Sequence, residues 1–312
     1  MQISILLFFQ ILKMFFMCLM GFLVVKSGHL KSRDSGALSA ATLYIVCPCA
    51  IINAFQVENT PERARALFAM FIAAAVVEFA MLLIATLLAK PLKLSEVELG
   101  TVAYSNAGNL IIPIIQSILG QEWVFYTSAY MGIQTVLFWT HLKGILSGDR
   151  KPELKKVITS INILAVLFGL AGFLAKVRYP VLIADTISAV AGTIGPLSMI
   201  ITGMLLADVD FGALFRRGRV WLIAALRLIV LPLLTIPVFV FACRVSGIAD
   251  GHMIMMIAFL AAAAPSASSV VQMARLYDHD AEYAGALNVI TVILCILTMP
   301  VMTAVYTYFL PV

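Results

Sequence analysis

Long apolar segments alternate with short polar clusters along the whole chain. Nearly continuous apolar runs, such as 66–89 and 220–242, are typical of membrane-crossing helices, which need about 20 apolar residues each. They lack the apolar–polar alternation of transmembrane barrel strands. We therefore predict an all-α membrane protein with ten spans, near 3–25, 35–56, 65–89, 96–119, 123–146, 157–175, 181–206, 219–243, 252–275 and 283–308.

Composition supports this prediction. Of the 312 residues, 62% are hydrophobic and only 12% are charged, whereas soluble domains carry about 25% charged residues. The longest predicted loop, 147–156, is too short for a soluble domain. No Cys/His cluster has zinc-binding spacing, so we expect neither a metal nor an organic cofactor. H⁺ or Na⁺ remains open as a coupling ion.

The basic residues predict how the spans are oriented. Fourteen Lys and Arg residues fall in the odd-numbered loops and five fall in the even-numbered loops. Because basic residues favour the cytoplasmic side, both termini are expected outside. The net charge of +5 is therefore a topology signal and does not indicate a nucleic-acid partner.

The two halves of the chain resemble each other. Five spans precede the loop and five follow it, and matching residues recur at offsets of 148 to 152: Gly21 with Gly172, Pro48 with Pro196, and Pro113 with Pro265. An odd number of spans per half inverts the second half relative to the first. Inverted repeats with helices interrupted at matching positions are typical of secondary transporters.

These halves define the predicted domains. The first five-helix repeat covers 1–147, a cytoplasmic linker covers 148–156, and the second repeat covers 157–312. Pro48 and Pro196 mark helix breaks or kinks in spans two and seven.

Spans four and nine carry polar residues around a proline in their centres. A proline frees a backbone carbonyl, which in hydrocarbon must be satisfied by protein or water. Opened helix N-termini also favour an anion. Two such breaks meeting near the midplane would suit a small carboxylate, bound by residues from the set Asn106, Asn109, Ser266, Ser268, Ser269 and Gln272. The alternative is that the prolines are tolerated kinks and that Ser and Asn only join helices.

Three charged residues lie within spans, where burying a charge costs free energy and therefore points to a structural or functional role. Glu78, in the middle of span three, is the candidate proton-carrying or coupling residue; the alternative is a structural pair with Arg227 or Lys13. Arg227 either snorkels to the interface or attracts substrate. Lys13 is expected to be structural or to snorkel.

Several motifs together resemble the auxin efflux carrier family, in its bacterial branch of malate- and malonate-permease-like proteins. The resemblance covers nearly the whole chain. The motifs are Gly21-Phe22-Leu23, Cys47-Pro48-Cys49-Ala50, Ser105-Asn106-x-Gly108 with Pro113, Gly195-Pro196-Leu197 with Gly203, and Ala264-Pro265-Ser266-Ala267 followed by Ala274-Arg275-Leu276-Tyr277.

This resemblance implies ten spans in two inverted repeats, with spans four and nine crossing at their breaks. It also implies an elevator-type transporter in a bacterial cytoplasmic (inner) membrane, with a scaffold of spans one, two, six and seven. Spans three to five and eight to ten would move, and the scaffold would form a homodimer. Family substrates are organic anions, including dicarboxylates and auxin. The residues carried over by position are Asn106, Gly108, Pro113, Pro265 and Ser266.

Two positions depart from the family pattern. Many members have a glycine just before the span-four proline, where this chain has Ile111-Ile112. Many also have an asparagine one turn after the span-nine proline, where this chain has Ser268-Ser269. Both positions border the expected substrate site.

We therefore expect a secondary transporter of a small organic anion, working by alternating access between lipid-embedded helices. One alternative is a sodium-coupled symporter of bile-acid type. Another is an intramembrane enzyme, but that would need a nucleophile–base pair, paired carboxylates or metal ligands within the membrane. Glu78 is the one clear mid-span carboxylate, so we do not expect an enzyme.

Overall fold

The computed structural model of the chain describes residues 2–149, 151, 153–209, 212, 216–246 and 251–310. Positions 150 and 152 of the predicted linker lie outside the described residues. The main helices are α1 Gln2–Lys26, α2 Ser32–Ala54, α3 Pro61–Leu92, α4 Glu96–Ala103, α5 Ala107–Ile118, α6 121–147, α7 Ile161–Leu174, α8 Val181–Leu206, α9 218–246, α10 Gly251–Ala263, α11 Ser268–Leu276 and α12 Ala281–Phe309. A short helix of five residues, Leu154–Ile158, lies between α6 and α7.

The prediction of an all-α membrane protein is confirmed for the described residues. Six helices are long and apolar enough to cross a membrane, namely α1, α2, α3, α8, α9 and α12. Three shorter apolar helices, α5, α7 and α10, accompany them. Many large apolar side chains are exposed on the outer faces of these helices, including Phe68, Leu87 and Leu182, as a hydrocarbon solvent allows.

Two helices are interrupted in the polar segments of spans four and nine. The first break precedes Pro113, which lies inside α5 after a π-helical turn at Ala107–Ile111. The helix α4 begins with a capping box between Ser95 and Glu98 and ends at Tyr104, whose backbone is extended. The chain resumes as α5 after Asn106. Between α10 and α11 the residues 264–267 are not helical, and the second of them, Pro265, has no N–H with which to continue a helix.

Helices α1 and α8 touch backbone to backbone. A Cβ atom on Gly21 would lie 2.1 Å from the carbonyl oxygen of Ile200, and one on Gly203 would lie 1.8 Å from that of Cys18. No side chain fits at such distances, so glycine sets the spacing of this helix pair.

We expect Gly203→Ala to destabilise the protein by about 3 kcal/mol or more, because the new methyl group must push two backbones apart. Thermal unfolding of the purified protein in detergent measures the effect. The control is Gly36→Ala, since Gly36 also lies in a helix but a Cβ there meets nothing within 4 Å. Equal unfolding temperatures for the two variants would contradict the close contact.

The predicted linker 148–156 is tied to α6 by a buried lysine. The ammonium group of Lys143, whose side chain is 5% exposed, lies 3.0 Å from a carboxylate oxygen of Asp149 and donates to the carbonyl of Lys151 at 3.2 Å. In the linker, the hydrogen bond from Lys156 lowers the pKa of the Glu153 carboxyl. The linker is therefore an ordered connection at its described positions.

Candidate substrate site at two interrupted helices

The two interruptions pair with each other. The backbone N–H of Asn106 donates to the carbonyl of Pro265 at 2.8 Å, and that of Ala267 donates to Tyr104 at 3.0 Å. Ser105 and Ser266 thereby form an isolated antiparallel bridge. Each break supplies partners for the other, which answers the requirement that backbone groups be satisfied inside a membrane. We call these paired segments, 104–106 and 264–267, the crossing.

Four helix ends meet at the crossing. The C-termini of α4 and α10 arrive there, and the N-termini of α5 and α11 leave from it. Neither N-terminus has a side-chain cap: Asn106 and Ala267 occupy the capping positions without a capping hydrogen bond. Uncapped N-terminal amides carry partial positive charge and attract anions.

Polar side chains at the crossing remain available for a ligand. Ser266 is 1% exposed, and its hydroxyl has no hydrogen-bond partner among the described residues. Asn106 is 9% exposed, and its side chain does not cap α5. Asn109 reaches across to α11, with its amide nitrogen 3.4 Å from the Ser268 hydroxyl. The structure thus brings four of the predicted binding residues together.

Helix α12 fixes the backbone of Ser266. The Thr291 hydroxyl accepts from the Ser266 N–H at 3.2 Å, and the Asn288 side chain donates to the Ser266 carbonyl at 2.6 Å. With both backbone groups held, the Ser266 side chain is oriented without using its own hydroxyl.

A hydrogen-bonded chain joins Glu78 to the crossing. The side-chain nitrogen of Gln134 in α6 donates to one carboxylate oxygen of Glu78 at 3.1 Å and to the Ser105 hydroxyl at 2.8 Å. Glu78 is fully buried, and its second oxygen has no hydrogen-bond partner in the described part of the chain. Tyr130, one turn before Gln134, also lies beside Glu78 and Ser105.

The alternative that Glu78 forms a structural ion pair with Arg227 or Lys13 is not supported by a direct contact. Among the described residues, neither Arg227 nor Lys13 forms an ion pair with it. Arg227 is fully buried and hydrogen-bonds to backbone carbonyls, so the alternative that it snorkels is wrong. Lys13 is exposed on α1.

The remaining predicted residues lie around the crossing or away from it. Gly108 faces Met131, and Pro113 packs against Gly195 of α8. Ser269 is half-buried and Gln272 is exposed on α11. Pro48 lies buried in α2, after a π-helical turn at Thr42–Val46. Pro196 is exposed in α8, directly after Gly195.

Sequence reasoning did not assign to the site four residues that support it, namely Ser105, Gln134, Asn288 and Thr291. Gln134 carries a usable signal, because an uncharged polar side chain inside an apolar span needs a partner there. Thr291 carries none, since threonines recur throughout these helices and bond to their own helix, as Thr303 does.

Helices that open inside a bundle of apolar helices are typical of secondary transporters. The chain belongs to the auxin efflux carrier family: it matches the family described as "Membrane transport protein" over residues 6–162 and 150–303. The family resemblance is thereby confirmed. A comparison with curated proteins found no significant match. Membership in a transporter family favours transport over catalysis.

Proposed function

We propose that this protein is a secondary transporter that binds a small organic anion, such as a dicarboxylate or an auxin-like carboxylate, at the crossing. The observation that carries the proposal is the antiparallel pairing of two interrupted helices beside a buried serine hydroxyl that has no partner in the described residues. Alternating access then exposes the crossing to one side of the membrane at a time.

The chemistry of the crossing suits an anion. The uncapped N-termini of α5 and α11 contribute amide donors and their dipoles, and Asn106 and Ser266 contribute side-chain donors. Arg227 adds a full positive charge next to the crossing through its contact with Ala264. Glu78 is an opposing charge, and Gln134 links its carboxylate to the Ser105 hydroxyl at the crossing.

The ten-span architecture with two inverted repeats is part of the proposal. The matching positions of the two interruptions and the recurring prolines support it. Helix α1 packs on α8, and α2 packs on α7 and α8, whereas α3 packs on α6, α9 and α10. We assign the first group to a scaffold and the second to a moving domain of an elevator, with homodimers forming through the scaffold.

The distribution of basic residues supports an orientation in which both termini lie outside. The resemblance to the bacterial branch of the family supports a location in a bacterial cytoplasmic membrane. Proton coupling through Glu78 is the mechanism we favour. Its buried carboxyl is linked to the crossing by hydrogen bonds, so the charge of an anion bound there acts on its protonation. In this mechanism no metal or organic cofactor takes part.

A carboxylate screen tests the proposed substrate class. We expect a subset of small mono- and dicarboxylates to raise the unfolding temperature of the purified protein saturably, because a ligand that binds only the folded state stabilises it by mass action. The same compounds should be taken up by liposomes containing the protein. Their methyl esters, which lose the charge and are only one methyl group larger at each carboxyl, are the control. Equal stabilisation by acids and esters would contradict recognition of an anion.

A further inference from the structure

We infer that Arg227 is a built-in cation that holds together the C-termini of both interrupted helices, so that the protein binds its anion without Na⁺ or another alkali cation. The inference rests on the proposed function for the anion. The site of Arg227 itself is defined by contacts within the chain.

Three nitrogen atoms of Arg227 donate to three different backbone carbonyls. Nη1 donates to Val102, in the last turn of α4, at 3.1 Å. Nη2 donates to Ala262, in the last turn of α10, at 2.8 Å. Nε donates to Ala264, in the crossing, at 2.9 Å. One planar guanidinium therefore bridges two helices that are distant in sequence, a geometry for which a fork of N–H donors is suited.

These carbonyls belong to a class that ordinarily needs an external partner. The last carbonyls of a helix have no partner in their own helix and carry the negative end of its dipole. In secondary transporters with interrupted helices, such C-terminal carbonyls coordinate the coupling Na⁺. Here the guanidinium of Arg227 donates hydrogen bonds to three of these carbonyls. Because the group is permanently charged, its binding does not depend on an ion gradient.

The surroundings of Arg227 leave its charge largely unpaired. Among the described residues no carboxylate forms an ion pair with it; Glu78 interacts with it only through longer-range charge attraction. A buried charge is costly and is retained for a reason. The helix dipoles supply part of that compensation, and the substrate anion supplies the rest when it binds.

The local backbone places Arg227 for this role. The residue lies in a π-helical turn, Leu226–Val230, inside the long helix α9. Such wide turns are frequently found at functional sites. The arrangement makes the sodium-coupled alternative unnecessary, because the cation that it requires is already part of the chain.

Unfolding temperatures measured without any substrate test the inference. Wild-type protein should unfold at the same temperature in NaCl, KCl and N-methylglucamine chloride at equal ionic strength. Arg227→Ala should unfold several degrees lower and regain at least half of the loss, saturably, in millimolar guanidinium chloride but not in NaCl. The control is Arg219→Ala, since Arg219 also donates to two carbonyls, of Leu92 and Lys93, but at a solvent-accessible site. It should show no guanidinium rescue.

Arg227→Lys keeps the charge but loses the fork, and serves if the alanine variant does not fold. It should be less stable than wild type and equally indifferent to Na⁺. Saturable stabilisation of wild type by Na⁺, or rescue of either Arg227 variant by NaCl, would overturn the inference. If the unfolding temperature of the wild type is the same in all three salts but no carboxylate raises it, the result would count against the proposed function alone.

Discussion

Alanine at both Asn106 and Ser266 is expected to reduce carboxylate uptake into liposomes by at least about 100-fold. Each side chain offers a donor to the bound anion, and a hydrogen bond to a charged group contributes about 1.5–3 kcal/mol. Two such losses amount to roughly 3–6 kcal/mol, and each 1.36 kcal/mol is a factor of about ten. The backbone of the crossing should persist, because its pairing uses main-chain atoms only.

A matched control separates this effect from general damage. Asn162→Ala combined with Ser198→Ala removes the same two residue types elsewhere in the chain. Within the described residues, each of these side chains has a buried oxygen without a hydrogen-bond partner, as Ser266 has. The control variant should transport at close to the wild-type rate. Unchanged transport in the variant of Asn106 and Ser266 would refute the assignment of the substrate site.

Glu78→Gln is expected to abolish uptake driven by a pH gradient while sparing substrate binding. Glutamine has nearly the same shape as glutamate but cannot take up or release a proton. Gln134 can still donate to the new side-chain oxygen, as it does to Glu78 at 3.1 Å. Uptake should be followed with and without an imposed pH gradient, and binding by the carboxylate-induced rise in unfolding temperature.

The control for this variant is Glu122→Gln. Glu122 is an exposed carboxylate that pairs with Arg63, and removing it should leave the pH response unchanged. Wild-type pH dependence in Glu78→Gln would rule out proton coupling through Glu78. Loss of binding together with loss of pH-driven uptake would instead assign Glu78 to the architecture of the crossing.

The two helix interruptions show how far a pattern along the chain can lead. Proline removes a donor wherever it occurs, and Pro265 lies within the break that it predicts, whereas Pro113 lies inside α5, seven residues after the break at 104–106. The break itself is local chemistry. Which residues lie unwound is also close to what the motifs indicate, since 104–106 and 264–267 surround Asn106 and Pro265.

Arg227 and Glu78 show where such reasoning ends. Both are recognisable as costly charges in apolar spans, yet their partners come from other helices. Arg227 contacts residues 125 and 35 positions away, and Gln134 is 56 positions from Glu78. Periodicity within one helix contains no information about such contacts, because they depend on how the helices pack.

Hydrophobic runs and the polar, proline-containing segments are enough to predict a helical membrane protein with two interrupted helices, because these features depend on the solvent and on backbone chemistry near each residue. The family follows from the resemblance of several motifs. These sequence features do not reveal that Ser105 pairs with Ser266 or that one guanidinium bridges the ends of α4 and α10. Those contacts exist only once α3, α6, α9 and α12 surround the crossing, since each partner is supplied by a different helix.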